Sequence, residues 1–240
     1  MRFHSLVRFN LFQGMSSPVY MDDESVPLWK PLKMIHQGAE ATVFSGYWMG
    51  DKAILKKRNH RSYRHPDLDR RLTRQRLSVE VRVLRKLYST IVPSPSLLDV
   101  DIDEGWIILS EVDGVTLYES LLNGKSNIEQ IKKFGGLIRQ LHELGISHGD
   151  LTTHNVLINE NNDLTLIDFG LSKISPEIEH LGLDLQVLHE CLNASHYEEE
   201  GAIESMIDGY LSNSSDNIIP SGPDVIERFN SIRGRVRYHA

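Results

Sequence analysis

Apolar and polar positions alternate in short runs over the first half of the chain. Leu32 to Ile35 and Ala41 to Tyr47 read as two strands joined by Gln37-Gly38-Ala39-Glu40. Lys52 to Lys56 forms a third strand after a Met49-Gly50-Asp51 turn. The period then changes. Leu77, Val81, Leu84 and Tyr88 recur at helical spacing, which predicts a helix over Asp67 to Tyr88 behind Pro66, with Asp67 and Asp69 in its first turn and Pro93 and Pro95 beyond its end. Leu97 to Val100 and Trp106 to Leu109 make a hairpin around 101–105. Three strands, a helix and two strands predict a small α+β lobe.

Glu111 to Gly114 is a connector, and helices follow over Thr116 to Leu122 and Asn127 to Leu144, with Ile131, Ile138 and Leu141 inward. Asn155 to Ile158 and Leu164 to Ile167 are strands of a second hairpin turning at Asn159 to Asp163, and Gly182 onward reads as helical to the end. The expected organisation is an extension over 1–30 that does not order, a β-rich N-lobe over 31–110, a reduced helical C-lobe over 111–227 and a basic tail over 228–240. No repeat or low-complexity tract interrupts it.

That second hairpin carries the chemistry. His148-Gly149-Asp150 precedes it and Asp168-Phe169-Gly170 follows it, with Asn155 five residues after Asp150 and Asp168 thirteen beyond Asn155. The turn brings Asn155 and Asp168 together to share one divalent ion, while Asp150 faces an incoming hydroxyl or water. Oxygen ligands of this kind suit Mg²⁺, which binds through one or two carboxylates plus phosphates. This is the catalytic half of a kinase-like phosphoryl-transfer site.

The nucleotide half is expected in the N-lobe. Lys56 ends the third strand, where a lysine holding the α- and β-phosphates of ATP belongs. Glu80 lies on the inward face of the long helix, where an unpaired acid is costly to bury, so a Lys56–Glu80 pair is expected, with an Arg76–Glu80 pair at the helix edge as the plainer alternative. Gly38 to Gly46 stands as a reduced phosphate loop whose nucleotide-binding positions are Gly38, Ala39, Glu40, Ala41 and Val43; Glu40 repels phosphate unless it turns away or binds metal. The Glu111 carbonyl and Val112 amide are placed to meet an adenine edge, or form a plain linker.

Composition narrows this picture. The 240 residues are 40% apolar and 25% charged with no stretch of about 18 apolar residues, so nothing is expected to span a membrane. The single Cys191 excludes an internal disulfide and sits in an apolar helical run as an expected structural thiol. Met1 to Tyr20 has arginines and no acid, faintly like a transit peptide, with Met15 and Met21 as alternative starts. The net charge is −7, yet 51–76 holds ten Lys and Arg against three acids, and 228–240 holds four Arg and none. Such segments attract a polyanion locally, since screening acts over about 10 Å.

With these residues assembled, the chain resembles the kinase/ATPase subunit of the KEOPS (EKC) complex, a small family related to the RIO atypical kinases. The resemblance rests on Gln37-Gly38-Ala39-Glu40-Ala41, Lys56-Lys57-Arg58, Tyr63-Arg64-His65-Pro66, Leu68-Asp69, His148-Gly149-Asp150-Leu151-Thr152-Thr153, Asp168-Phe169-Gly170-Leu171-Ser172 and Arg233-Gly234-Arg235-Val236-Arg237. It covers about residues 32 to 238. It implies a two-lobed protein kinase-like fold with ATP and Mg²⁺ in the cleft, and an atypical serine/threonine kinase acting largely as an ATPase. Its role would be to support threonylcarbamoyladenosine modification of tRNA in cytoplasm and nucleus. Expected partners are the threonylcarbamoyl transferase subunit, a small adaptor on the N-lobe, and tRNA through Arg233, Arg235 and Arg237, though terminal arginines also serve solubility alone.

Departures from ordinary kinases fit that expectation. His-Gly-Asp lacks the arginine that reads a phosphorylated activation loop, no Ala-Pro-Glu motif follows Gly170, and about a dozen residues separate Gly170 from the next helix near Gly182. Thr152 stands where many such kinases have lysine, and His154 where a small polar residue is expected. Asp184 either anchors the catalytic-loop backbone or caps its helix. Two rival classes share parts of the pattern: a small-molecule phosphotransferase of the aminoglycoside type, and a non-catalytic pseudokinase scaffold.

Overall fold

The computed structural model describes residues 28–38, 41–59, 65–196, 200–214, 218 and 220–236. Most of the 1–30 extension, Ala39, Glu40, Tyr63, Arg64 and Arg237 lie outside the described residues. Strands β1 (Trp29–Gln37), β2 (Ala41–Trp48), β3 (Asp51–Arg58), β4 (Leu97–Asp101) and β5 (Trp106–Ser110) form one antiparallel sheet in the order β1-β2-β3-β5-β4. Along β3 the faces alternate. Ala53 and Leu55 pack on Ile108 with Trp29, Phe44, Trp48 and Trp106, which leaves Lys56 and Arg58 for the opposite face.

Helix α1 (Pro66–Leu87) covers that opposite face. Pro66 opens it, His65 accepts the Asp67 amide at 3.3 Å, and acids in the first turn with Arg85 and Lys86 in the last complement its dipole. Leu77, Val81, Val83, Leu84 and Leu87 are buried. Tyr88, expected on the inward stripe, is instead the C-cap and 78% exposed, because Leu87 takes the last inward position.

Glu111–Gly114 leads to β6 (Val115–Thr116), α2 (Leu117–Leu122) and α3 (Ile128–Glu143); Thr116 and Asn127 each form a capping box. Strands β7 (Ile146–Ser147), β8 (Val156–Ile158), β9 (Leu164–Leu166) and β10 (Lys173–Ile174) are short. The β8–β9 register pairs Val156 with Leu166 and Ile158 with Leu164, so the hairpin is the expected one. Asn159 shapes its turn by accepting the amides of Asn161 and Asp163, both at 2.9 Å.

The expected helical run from Gly182 is three helices: α4 (Ile178–Ser195), α5 (Ala202–Ser212) and α6 (Gly222–Val236). Glu177 caps α4 through a capping box, so the helix starts four residues earlier and only seven residues separate it from Gly170. Gly201 at φ +79° precedes α5, and α6 begins at Gly222. Since α6 runs unbroken through 228, the boundary drawn there from charge falls inside a helix; Phe229 and Ile232 are buried. One apolar cluster runs from Leu77 in α1 through Phe134 and Leu166 to Phe229 in α6, joining the two lobes. The fold is a two-lobed, kinase-like α+β architecture.

Candidate active site

The functional side chains meet where the sheet and α1 face the β8–β9 hairpin. Lys56 Nζ lies 3.0 Å from Glu80 Oε1 and 2.7 Å from Asp168 Oδ1. Glu80 is 1% exposed, and an acid buried so deeply is costly without such a cation beside it. The alternative Arg76–Glu80 pairing is not what the carboxylate makes: its oxygens go to Lys56 and, at 3.2 Å, to Arg58 Nη2. Arg58 also stands 3.9 Å from Asp168 Oδ1. Burial pushes the Asp168 carboxyl up, but Lys56, Arg58 and the Gly170 amide outweigh it and hold the pKa at about 2. Asp168 is therefore ionised at neutral pH. Its backbone is left-handed at φ +63°, a conformation costly for a non-glycine residue and typical of built sites.

Asp150 and Asn155 form the other side. Asn155 Nδ2 donates to the Asp150 carbonyl at 2.8 Å and to its carboxylate Oδ2 at 2.9 Å. Its own carbonyl accepts the Ile167 amide at 3.0 Å, which locks the two halves of the hairpin together beside Asp168. His148 sets the loop from beneath. Its Nε2 lies 3.0 Å from the Ile167 carbonyl and so donates there, and its Nδ1 accepts the Asp150 amide at 3.4 Å. Gly149 has φ +82°, and a Cβ there would meet the Leu171 carbonyl at 2.2 Å, so this loop has no room for arginine at that position.

Asp184 resolves in favour of the anchor. It lies in the second turn of α4, is 2% exposed, and accepts the His148 amide at 2.6 Å and the Gly149 amide at 2.8 Å. Its Oδ2 also faces His142 Nε2 at 3.2 Å, whose Nδ1 meets the Tyr210 hydroxyl at 2.8 Å. Ser172 Oγ adds a bond to the His148 carbonyl at 3.0 Å. The 148–155 loop is thus held from α3, α4, α5 and the segment after Phe169.

At the glycine-bearing turn, the Gly38 amide donates to the Ala41 carbonyl at 3.0 Å. Asn59 ties this turn to the end of β3, donating to the Gly38 carbonyl at 2.9 Å and accepting from Thr42 Oγ1 at 2.8 Å. Ala41 is buried, and Val43 stands in register opposite Lys56. Ala39 and Glu40 lie outside the described residues, so the orientation of Glu40 does too. At the connector, the Glu111 amide donates to the Lys52 carbonyl at 3.3 Å and its carboxylate reaches Lys52 at 3.8 Å, with Val112 next in the chain. Between the lobes a small pocket of about 30 Å³ is lined by Arg58, Arg76, Asp150, Asp168, Gly170 and Leu171.

The basic segments are less free than their charge count implies. Of 51–76, Lys56 and Arg58 are turned inward, while Arg70 pairs with Asp67 at 2.5 Å and Arg74 with Asp103 at 2.8 Å. In α6, Arg228 pairs with Glu179 and Arg233 stacks over the Phe229 ring at 5.6 Å, while Arg235 is exposed. These arginines lie on α6, outside the cleft-lining set, and Arg237 lies outside the described residues. Sequence reasoning missed Arg58, Asn59, His142 and Tyr210; strand alternation from Lys56 was the signal for Arg58.

Residues 35–178 match the lipopolysaccharide kinase (Kdo/WaaP) family. The EKC/KEOPS complex subunit bud32 of Dictyostelium discoideum is 36% identical over 85% of this chain and 82% of its own length. The KEOPS complex subunit Bud32 of Pyrococcus abyssi is 33% identical over 86% of this chain and 96% of its own. A probable bifunctional tRNA threonylcarbamoyladenosine biosynthesis protein of Methanothermobacter thermautotrophicus is 34% identical over 91% of this chain, which spans only 39% of that protein. No helix among the described residues is long and apolar enough to cross a membrane.

Proposed function

We propose that this chain, which belongs to the kinase-like family of Bud32 subunits of KEOPS (EKC) complexes, binds ATP in the interlobe cleft and turns it over in support of threonylcarbamoyladenosine formation on tRNA. One observation carries the reading: Lys56 bridges Glu80 at 3.0 Å and Asp168 at 2.7 Å, with the Asp150–Asn155 pair on the adjoining loop. Lys56 takes the α- and β-phosphates, Glu80 orients it, and the turn of Gly38, Ala39, Glu40, Ala41 and Val43 covers the triphosphate. The Glu111 carbonyl and Val112 amide meet the adenine edge.

Asp150, held by Asn155, accepts a proton from the attacking water or hydroxyl. Asn155 spends its Nδ2 on Asp150 and keeps its amide oxygen, and Asp168 is ionised, so both offer the hard oxygen donors that Mg²⁺ takes. When bound, Mg²⁺ neutralises charge on the phosphates.

ATP hydrolysis is favoured over transfer to free protein substrates. Only seven residues separate Gly170 from α4, and the Gly149 backbone takes the place of an arginine that reads phosphate. The reading takes a threonylcarbamoyl transferase subunit as partner, in keeping with a relative named a probable bifunctional tRNA threonylcarbamoyladenosine biosynthesis protein, and adds a small adaptor on the N-lobe and action in cytoplasm and nucleus. The end of α6 with Arg233 and Arg235, together with Arg237 outside the described residues, contacts tRNA phosphates.

The test is ATPase turnover of the reconstituted complex with tRNA. Asp168→Ala should abolish turnover while partner binding persists; turnover at the parent rate overturns the reading. A triple Arg233, Arg235 and Arg237→Glu variant should lose tRNA stimulation and keep the basal rate. It is preferable to deleting 228–240, which would remove the buried Phe229 and Ile232.

A further inference from the structure

Arg58 occupies a position that the phosphoryl-transfer roles above leave unassigned. It lies two residues beyond Lys56 on β3, hence on the same face, and its side chain is 6% exposed. The Glu80 carboxylate is divided between the two cations: Oε1 takes Lys56 at 3.0 Å and Oε2 takes Arg58 at 3.2 Å. Asp168 Oδ1 faces both, at 2.7 and 3.9 Å. Two cations and two carboxylates therefore meet in one cluster. Gly170 is fitted to it, since a Cβ there would come within 2.5 Å of Arg58 Nη2.

We infer that Arg58 is a positioning residue that keeps Glu80 and Asp168 in register when Lys56 turns from Asp168 to the nucleotide phosphates. The inference rests on the cleft being an ATP site. A lysine has one compact charge, and serving a triphosphate weakens its hold on the two carboxylates behind it. Without a second cation, the buried Glu80 and Asp168 would share a single ammonium drawn away by the phosphates. A guanidinium stays charged at every working pH, and the Arg58 Nη2 stands between the two carboxylates, 3.2 Å from Glu80 Oε2 and 3.9 Å from Asp168 Oδ1. Arg58 thus acts through Asp168 and Glu80.

The experiment is steady-state ATPase kinetics of the complex with Arg58→Met, Arg58→Lys, Gly170→Ala and the Arg58→Met/Gly170→Ala double variant, each checked for folding by thermal melt. Arg58→Met should lower kcat about 10–100-fold with the KM for ATP within about threefold, and Arg58→Lys should fall between it and the parent. Gly170→Ala should reproduce the Arg58→Met loss, because its methyl displaces the guanidinium from the other side, and the double variant should be no worse than either single. If Arg58→Met fails to fold, the Gly170→Ala and Arg58→Lys results decide. A kcat within twofold of the parent, a raised KM at unchanged kcat, or multiplying losses in the double variant would overturn the inference. Lys56→Met runs alongside: if it retains full turnover the ATP-site reading itself fails, whereas its loss with an unaffected Arg58→Met sinks only the role of Arg58.

Discussion

Asn155 holds Asp150 through a single nitrogen, whose two donors reach the Asp150 carbonyl at 2.8 Å and its carboxylate at 2.9 Å. The same side chain therefore fixes both the backbone and the charged end of Asp150, the residue proposed to accept a proton, and its amide oxygen makes neither of these bonds.

Asn155→Asp tests this arrangement most sharply. It replaces the donor with a second carboxylate against Asp150, which adds repulsion and removes both bonds at once. Turnover should fall about 10²–10⁴-fold, the range for disabling a positioned proton acceptor. Lys56 and the glycine-bearing turn are untouched, so binding of a fluorescent ATP analogue should weaken far less than turnover. Equal losses in both would mean that Asn155 serves binding, not the reacting geometry.

Asp184 is the second lever. Its carboxylate satisfies the His148 and Gly149 amides deep in the C-lobe, and Asp184→Ala leaves both donors buried without it. The cost should be about 3–5 kcal/mol, a fall in Tm of roughly 10 °C or more. Hydrogen exchange should speed up at the His148 and Gly149 amides ahead of the α3 core. A melt unchanged within a degree would show the loop to be held by other contacts.

The parts of this site that were legible in sequence are those where one residue type has one plausible employment. An acid on an apolar helix face, Glu80, needed a cation, and the strand-end Lys56 was at hand. Asp150, Asn155 and Asp168 were fixed by a hairpin whose length is set by Asn159 and its turn. Arg58 escaped because it was counted with a charged run, although β3 alternation turns it inward with Lys56. Asp184 stayed ambiguous because its partners, the His148 and Gly149 amides, lie 35 and 36 positions away and carry no side-chain signal. The helical run after Gly182 hid its breaks for a similar reason. Capping at Glu177 and the left-handed Gly201 are backbone events that apolar periodicity does not record. Glycine spacing in α3 and α5 was equally silent about how closely those helices approach.

Those glycines give a pair of opposite predictions. A Cβ on Gly209 would lie 1.8 Å from the Lys132 carbonyl of α3, whereas Gly234 in α6 has nothing within 4 Å. Gly209→Ala should destabilise by about 1–3 kcal/mol, since forcing the helices apart exceeds the gain in helix propensity. Gly234→Ala should stabilise by up to about 1 kcal/mol. Urea denaturation of the two variants checks both signs. A stabilised Gly209→Ala would show that α3 and α5 separate at little cost.

Tyr210 offers the pH test. Its side chain is fully buried, and its hydroxyl meets His142 Nδ1 at 2.8 Å on the path to Asp184. Burial pushes its pKa up to about 12; Arg139 pulls it down, while Asp184 and Glu143 add to the rise. The unfolded chain gives up this proton near pH 10, so between roughly pH 10 and 12 the native state binds more protons than the unfolded one. The stabilisation is therefore complete below about pH 10 and is lost as pH climbs toward 12, by something on the order of 2–3 kcal/mol. Tyr210→Phe has no proton to lose. It should be less stable than the parent at pH 8, by about 1–3 kcal/mol for the bond to His142, and the gap should close steadily toward pH 11.5. Denaturation curves of both proteins across that range, with tyrosinate absorbance followed in parallel, make the comparison direct, and two stability profiles that stay parallel would refute the link between this hydroxyl and the catalytic-loop anchor.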